Sequence, residues 1–261
     1  MHWTRRRVVL AGLAGLVASA GVVAPLAGAI GSVNQGADSR IVLPSGRAYI
    51  LHTPPLLRSQ PAMADGRPAM IVLHGVKDTP EHFESVAGFK AYSDRDGDLV
   101  AYPEGVRESF NAGLCCGDAS AYGVDDVTFL SDVVNDLKSR GAARISVVGF
   151  SNGGMMAYRL ACARPDLVDT VGVMSGALEI PHCDGPIRAL AIHGLKDTSV
   201  PWKGQRYSTK LRCFVRAQGT IRSAAPGSNI IIQQLPGYPH RWTVPTDAVN
   251  ATAEFWKFAG M

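Results

Sequence analysis

Short apolar runs separated by mixed polar segments dominate the pattern of this chain. Runs in which apolar residues prevail lie at residues 69–73, 99–103, 145–148, 170–175 and 188–193. Such runs are typical of strands that are covered on both faces, as in a parallel sheet. Residues 229–235 also have a strand-like composition, which gives a sixth predicted strand.

Helical patterns fill most of the intervals between these strands. In residues 124–140, Val127, Leu130, Val134 and Leu137 recur close to the 3.6-residue period of an amphipathic helix. Further helices are predicted at residues 81–94, 205–215 and 246–258, and from residue 152 to about Arg164, which precedes a proline. Residues 40–43 and 47–51 flank a Pro-Ser-Gly turn and predict an antiparallel hairpin.

Strands that alternate with helices indicate the α/β class. The expected architecture is a doubly wound and mostly parallel sheet with helices on both faces and no large lid. Residues 30–261 are expected to form a single domain, since one α/β domain of this length is ordinary.

The first 29 residues have the pattern of an export signal. Arg5, Arg6 and Arg7 precede an apolar run over residues 8–23, and residues 27–29 (Ala-Gly-Ala) offer a cleavage site. The arginines also resemble a twin-arginine signal. We therefore expect a bacterial protein exported to the cell envelope or the extracellular space. The alternative is an uncleaved anchor. The apolar stretch extends at most to about Ile30, and the glycines and the proline within that stretch disfavour a permanent membrane span.

Composition and charge exclude some classes of function. The 261 residues are 46% hydrophobic and 18% charged, which is a globular composition. The formal charge of +4 falls to about +1 once Arg5, Arg6 and Arg7 are set aside, since 23 basic and 22 acidic residues remain. No basic stripe marks a nucleic-acid interface, and no stable membrane insertion is expected after signal cleavage.

The candidate chemistry begins at Ser151. Residues 145–148 lead into Gly149-Phe150-Ser151-Asn152-Gly153, and a helical pattern follows. This is the pattern of a nucleophile elbow, in which a sharp turn between a strand and a helix presents a serine hydroxyl. The two glycines fit because the turn leaves little room for a Cβ.

An attacking serine needs a base, which in turn needs a carboxylate to orient it. His240 follows the last predicted strand, where a loop can carry it over the sheet, whereas His193 and His182 fit that role less well. Asp197 lies just beyond the end of the strand at residues 188–193, the position at which catalytic groups gather in open α/β sheets. Asp184 is the alternative acid.

The oxyanion of an acyl-transfer reaction needs preorganised donors. Asn152 follows the nucleophile and is expected to supply one backbone N–H, and Val76, in the loop after residues 69–73, the other. The side chain of His74 is expected to pack rather than react.

These segments resemble the secreted esterase family that includes polyhydroxybutyrate depolymerases, feruloyl esterases and mycobacterial LpqC/LpqP-type esterases. The matching segments are residues 73–75, 102–105, 111–117, 123–127, 149–162, 193–197 with 200–201, and the loop around His240. The resemblance implies an α/β-hydrolase fold and a serine esterase that uses Ser151, Asp197 and His240. The sequence departs from the family pattern beside His240 and at Phe110, which takes the place of a tryptophan.

Five cysteines in an exported chain predict disulfides with one residue left over. We expect Cys115 or Cys116 to pair with Cys162, and Cys183 with Cys213. A metal site is the alternative, which the absence of a Cys-x-x-Cys spacing disfavours.

Four aromatic residues lie in loops near the catalytic segments and are candidates for substrate contact. They are Phe110, Tyr122, Trp202 and Trp242. The alternative for each one is packing within its loop.

The sequence therefore predicts a cofactor-independent carboxylic ester hydrolase with a small-molecule or polymeric ester as its partner. Polyhydroxyalkanoate, feruloyl, acetyl and small acyl esters stay open, as does the oligomeric state. The alternatives are a peptidase on the same fold and a catalytically inactive binding protein of the cell envelope.

Overall fold

Strands make up the centre of the protein in a computed structural model that describes residues 35–208 and 213–261. The strands of these ranges are β1 (Ala37–Val42), β2 (Ala48–Thr53), β3 (Pro68–Leu73), β4 (Leu99–Pro103), β5 (Arg144–Phe150), β6 (Thr170–Met174), β7 (Arg188–Gly194), β8 (Gln205–Ser208), β9 (Cys213–Val215) and β10 (Asn229–Leu235). Eight of them form one sheet in the order β1-β2-β4-β3-β5-β6-β7-β10, and β8 pairs with β9 separately.

Helices occupy the connections. They are α1 (Pro55–Ser59), α2 (Pro80–Ala87), α3 (Phe89–Asp96), α4 (Gly117–Ala121), α5 (Asp126–Ser139), α6 (Asn152–Ala163), α7 (Ile221–Ala224) and α8 (Ala251–Ala259), with 3₁₀ turns at Pro61–Ala64 and Gln218–Thr220. The end of α6 at Ala163, just before Arg164 and Pro165, agrees with the predicted stop.

The sheet is mostly parallel. β1 pairs antiparallel with β2, and β2 antiparallel with β4. Every other neighbouring pair, from β4–β3 to β7–β10, is parallel. The predicted doubly wound sheet and the predicted N-terminal hairpin are thus confirmed.

Both faces of the sheet are buried, as the apolar runs predict. In β3, Ile71 and Leu73 belong to one core cluster, which contains the apolar residues of α5 and α6. Met70 and Val72, which alternate with them, belong to a second cluster that contains residues of α2, α3 and α8. Because successive side chains of a strand point to opposite faces, one continuous apolar run contributes to two cores.

Two predicted helices have different bounds. The helix expected at residues 81–94 is two helices, α2 and α3, because Gly88 between them adopts a left-handed conformation with φ of 68°. The closing helix begins at Ala251 rather than at residue 246. The side chain of Asn250 caps this start by accepting a hydrogen bond from the Ala253 N–H.

The prediction of a helix at residues 205–215 is wrong, because the described residues of this segment form the paired antiparallel strands β8 and β9. Gln205 pairs with Val215 in the antiparallel register. Tyr207 and Phe214 are both exposed, and their ring centroids lie 5.8 Å apart. Such cross-strand aromatic pairs stabilise antiparallel ribbons, and aromatic residues are common in strands.

The predicted cysteine pairs are also wrong. Cys162 lies at disulfide distance from Cys183, with their Cα atoms 4.3 Å apart, because the chain after β6 returns across the end of α6. There, the Asp184 N–H donates a hydrogen bond to the Cys162 carbonyl. Cys213, on β9, meets the other two cysteines, and its Cα atom lies 5.2 Å from that of Cys115. The β8–β9 pair, which the sequence pattern failed to predict, therefore decides where Cys213 lies.

The predicted export signal, residues 1–29, lies outside the described residues, and its role stays a prediction. Within the ranges that the structure describes, no helix is both long enough and apolar enough to cross a bilayer.

Candidate active site

Ser151 lies at the turn between β5 and α6 in a strained conformation. Its φ of 53° and ψ of −118° are unusual for a residue with a side chain. This is the backbone expected of a nucleophile elbow, where the strain lifts the hydroxyl out of the turn. The elbow geometry predicted from the Gly-x-Ser-x-Gly spacing is therefore present.

Close backbone contacts explain the two glycines that flank Ser151. A Cβ at Gly149 would lie 2.3 Å from the carbonyl carbon of Gly153. A Cβ at Gly153 would lie 2.2 Å from the carbonyl oxygen of Leu73, the last residue of β3. Neither position can hold a larger residue without movement of backbone.

The structure brings Ser151, Asp197 and His240 together at the carboxyl ends of β5, β7 and β10. His240 Nε2 lies 3.0 Å from Ser151 Oγ, and His240 Nδ1 lies 2.6 Å from Asp197 Oδ2. Ser151 and Asp197 are buried, and His240 is partly buried. When His240 donates its Nδ1–H to the carboxylate, its Nε2 lone pair faces the serine hydroxyl, which is the arrangement a general base needs.

Asp197 is held as an acceptor by its own loop. Oδ1 accepts hydrogen bonds from the Ser199 N–H at 2.9 Å and the Val200 N–H at 2.7 Å. Burial acts to raise the pKa of Asp197, but the hydrogen bond and charge of His240, together with the Val200 N–H, hold that pKa below its usual value. This Asx turn was not part of the sequence prediction, although Asp-Thr-Ser is a composition that favours such turns.

A cavity of about 180 Å³ opens beside the serine. It is lined by Ser151, His240 and Phe150, and also by Val76 and its neighbours in the loop after β3. Asn152 is the first residue of α6, so its N–H has no acceptor within the helix. Of the two residues predicted as oxyanion donors, Val76 thus lies in the loop that lines the cavity, and Asn152 directly follows the serine.

Three other histidines, which the sequence analysis weighed, occupy structural or surface positions. His193 is buried, its Nε2 lies 2.8 Å from the Val200 carbonyl, and burial lowers its pKa. His74 is also buried; its Nδ1 lies 2.7 Å from the Gly75 carbonyl, and its Nε2 accepts from the Gly105 N–H at 3.1 Å. His182 and the alternative acid Asp184 lie exposed at the surface. The packing role expected of His74 agrees with its burial.

None of the four aromatic candidates is among the described residues that line this cavity. Phe110 is completely buried and packs on the ring of His74, with centroids 4.7 Å apart. Trp242 lies in the core, where its indole N–H donates to the hydroxyl of Thr252. Tyr122 is exposed beside Arg107, and Trp202 is partly buried against His193. The sequence placed all four residues in loops, but it did not predict how deeply each side chain is buried.

Among the described residues, two clusters have the geometry to hold a metal ion. One consists of Cys115, Cys116 and Cys213, in which two of the sulfurs lie at disulfide distance. The other consists of Asp38, His52 and Glu84. Here the ammonium group of Lys90 already lies 2.6 Å from Asp38 and 3.0 Å from Glu84, in the place that a cation would take.

Solved structures share this architecture at low sequence identity. An acetyl xylan esterase from Aspergillus awamori superposes with a TM-score of 0.57 over 86% of this chain and 99% of its own, at 15% identity. An S-formylglutathione hydrolase from Agrobacterium tumefaciens gives 0.56 over 87% and 96%, at 11% identity. Identities this low show the fold alone. The chain has the α/β-hydrolase fold.

The curated relatives bear esterase names. NocK of Nocardia uniformis subsp. tsuyamanensis, which has a provisional name as an esterase, is 39% identical over 167 residues, covering 60% of this chain and 47% of NocK. Feruloyl esterase C of Emericella nidulans is 42% identical over 99 residues, covering 35% of this chain and 36% of that enzyme. The predicted resemblance to feruloyl esterases is confirmed.

The chain spans about half the length of NocK and about a third of that of feruloyl esterase C. No protein-family model matches it.

Proposed function

We propose that this α/β-hydrolase is an exported serine esterase that cleaves carboxylic esters through an acyl-enzyme. The observation that supports the proposal most directly is the hydrogen-bonded chain from Ser151 through His240 to Asp197 beside an open cavity. The esterase names of the relatives favour the same chemistry.

In the proposed reaction, Ser151 Oγ attacks the ester carbonyl carbon while its proton passes to His240 Nε2. The oxyanion accepts hydrogen bonds from the N–H groups of Asn152 and Val76. Collapse of this intermediate expels the alcohol, which takes the proton from His240. Water, deprotonated by His240, then attacks the acyl group, and the acid leaves as Ser151 regains its proton.

The comparisons also narrow the proposed substrate class. One relative is named a feruloyl esterase, and one structural neighbour is an acetyl xylan esterase. We propose feruloyl or acetyl esters ahead of polyhydroxyalkanoates. The half-buried Trp202 and the exposed Tyr122 are retained as proposed contacts for an aromatic or sugar group.

Replacement of the nucleophile tests this function. We expect Ser151→Ala to lower kcat on 4-nitrophenyl acetate or methyl ferulate by roughly 10⁴- to 10⁶-fold, because the acyl-enzyme can no longer form. A fluorophosphonate probe should label Ser151 in the wild type, as peptide mass spectrometry would show. Ser85→Ala, at an exposed position in α2, is the matched control and should keep both turnover and labelling.

Ester turnover that persists in the folded S151A protein would contradict the serine mechanism. A wild type that cleaves peptide 4-nitroanilides faster than esters would favour the peptidase alternative. A folded wild type that is neither labelled nor active would favour an inactive binding protein.

A further inference from the structure

The segment at residues 104–116, which connects β4 to α4, contacts the elements that carry both proposed oxyanion donors. Asn152 begins α6 on one side, and Val76 lies in the loop after β3 on the other. Neither donor belongs to this segment. Specific hydrogen bonds, in addition to packing, hold it against the elements that carry both donors.

The side chain of Asn152 binds one residue of the segment twice. Its Oδ1 accepts a hydrogen bond from the Phe110 N–H at 2.8 Å, and its Nδ2–H donates to the Phe110 carbonyl at 2.8 Å. The side chain is completely buried. A primary amide can pair in this reciprocal way because its donor and acceptor lie side by side, and the two bonds fix orientation as well as distance.

The loop that carries Val76 is bound to the same segment. Lys77, the next residue, donates its backbone N–H to the Glu108 carbonyl at 2.8 Å and has a left-handed φ of 63°. His74 accepts a hydrogen bond from the Gly105 N–H through Nε2. The two hydrogen bonds of this loop and the two of the Asn152 side chain are therefore all made to a stretch of six residues in the segment, from Gly105 to Phe110.

We infer that the Asn152 side chain is a positioning residue, which sets the oxyanion donors by fixing the elbow to the 104–116 segment. The inference rests on the proposed function, since it concerns the same oxyanion hole. Oxyanion donors must lie about 2.7–3.1 Å from the developing charge, and the loss of one donor lowers kcat by roughly 10²- to 10³-fold. A displaced donor should therefore lower kcat more than it raises KM, because the charge develops only in the transition state.

A purely structural role for Asn152 would predict a loss of stability without this kinetic pattern. The substitution Asn152→Asp separates the two. A protonated aspartic acid has nearly the shape of asparagine, and it can accept from the Phe110 N–H while its O–H donates to the Phe110 carbonyl. An ionised aspartate keeps the first bond but repels that carbonyl.

The experiment measures kcat and KM on 4-nitrophenyl acetate between pH 5 and 8, with the melting temperature at each pH. We expect N152A to lower kcat by roughly 10- to 100-fold with KM within about threefold of wild type. For N152D, kcat relative to wild type should rise at least about tenfold from pH 8 to pH 5, as the buried carboxyl takes up a proton. Asn250→Asp, at the start of α8, is the matched control and should follow the wild type throughout.

The inference is overturned if N152D keeps wild-type kcat at every pH, or if its loss is the same factor at every pH. A change confined to KM would also overturn it. If N152A does not fold, the pH series of N152D decides alone. A wild type without ester turnover or Ser151 labelling instead rejects the proposed function, so the two failures are distinguishable.

Discussion

Glu179 is a completely buried carboxyl group that the proposed reaction does not use. Its Oε1 accepts a hydrogen bond from the Arg216 N–H at 3.0 Å, and its Oε2 has no partner among residues 35–208 and 213–261. Burial raises the pKa of Glu179 to about 7, which the Arg216 N–H and charge only partly offset. Between about pH 4.5 and pH 7, the folded protein therefore keeps a proton on Glu179 that the unfolded chain, with a pKa near 4.5, releases.

This linkage gives a prediction for stability against pH. The contribution of protonated Glu179 is fully present below about pH 4.5 and is lost as pH rises toward 7, because the folded state binds the additional proton in that window. The loss should reach about 3 kcal/mol. Glu179→Gln removes the titration, so its unfolding free energy, from urea denaturation at pH 5 and pH 8, should fall less with pH than that of the wild type. Parallel pH profiles for the two proteins would contradict this assignment.

The catalytic candidates were predictable residue by residue, whereas their supporting contacts were not. Ser151, Asp197 and His240 follow from chain order and from positions just beyond strands. The bonds of Asn152 to Phe110 join residues 42 positions apart, and no local pattern encodes them. The depth of Trp242 depends likewise on which side of its loop faces the sheet.

At the scale of elements, the β8–β9 hairpin shows where local pattern failed. Residues 205–215 contain enough polar positions to match a helical period, but tertiary contacts decide the outcome. Cys213 lies on this hairpin, buried beside Cys115 and Cys116. By contrast, α5 and α6 were predictable because their apolar stripes and stop signals are local.

The cysteine arrangement leads to a prediction for α6. Non-reducing peptide mapping should recover Cys162 linked to Cys183, and Cys213 linked to the peptide that contains Cys115 and Cys116. The first bridge closes a separation of 21 residues. The double substitution C162A/C183A should therefore lower the free energy of unfolding by roughly 2–4 kcal/mol in urea titrations. A peptide that joins Cys183 to Cys213 would contradict the pairing.

At the scale of the whole molecule, the central sheet was the most predictable feature. Its apolar runs are buried on both faces, and helices cover each face. The neighbours of the edge strands were less predictable from the sequence, since β2 lies beside β4 rather than β3. That order depends on crossover connections, which hydrophobic pattern alone does not specify.

The proposed export also concerns the chain as a whole. In a bacterial host, the exported protein should have the mass of a chain that begins after Ala29. Arg5→Lys with Arg6→Lys keeps the charge but removes the arginine pair, so it should abolish export through a twin-arginine route. The full-length mass in the exported fraction would favour the uncleaved anchor, and unchanged export of the lysine variant would favour a general secretory route.

The three catalytic candidates lie far apart along the chain. Ser151 and His240 are separated by 89 residues, and Asp197 and His240 by 43. Their contacts exist only when β5, β7 and β10 are all in register within one sheet. Long-range pairings of this kind form late in folding, after local helices. Recovery of turnover during refolding therefore reports completion of the sheet, and it should lag behind the recovery of helical signal.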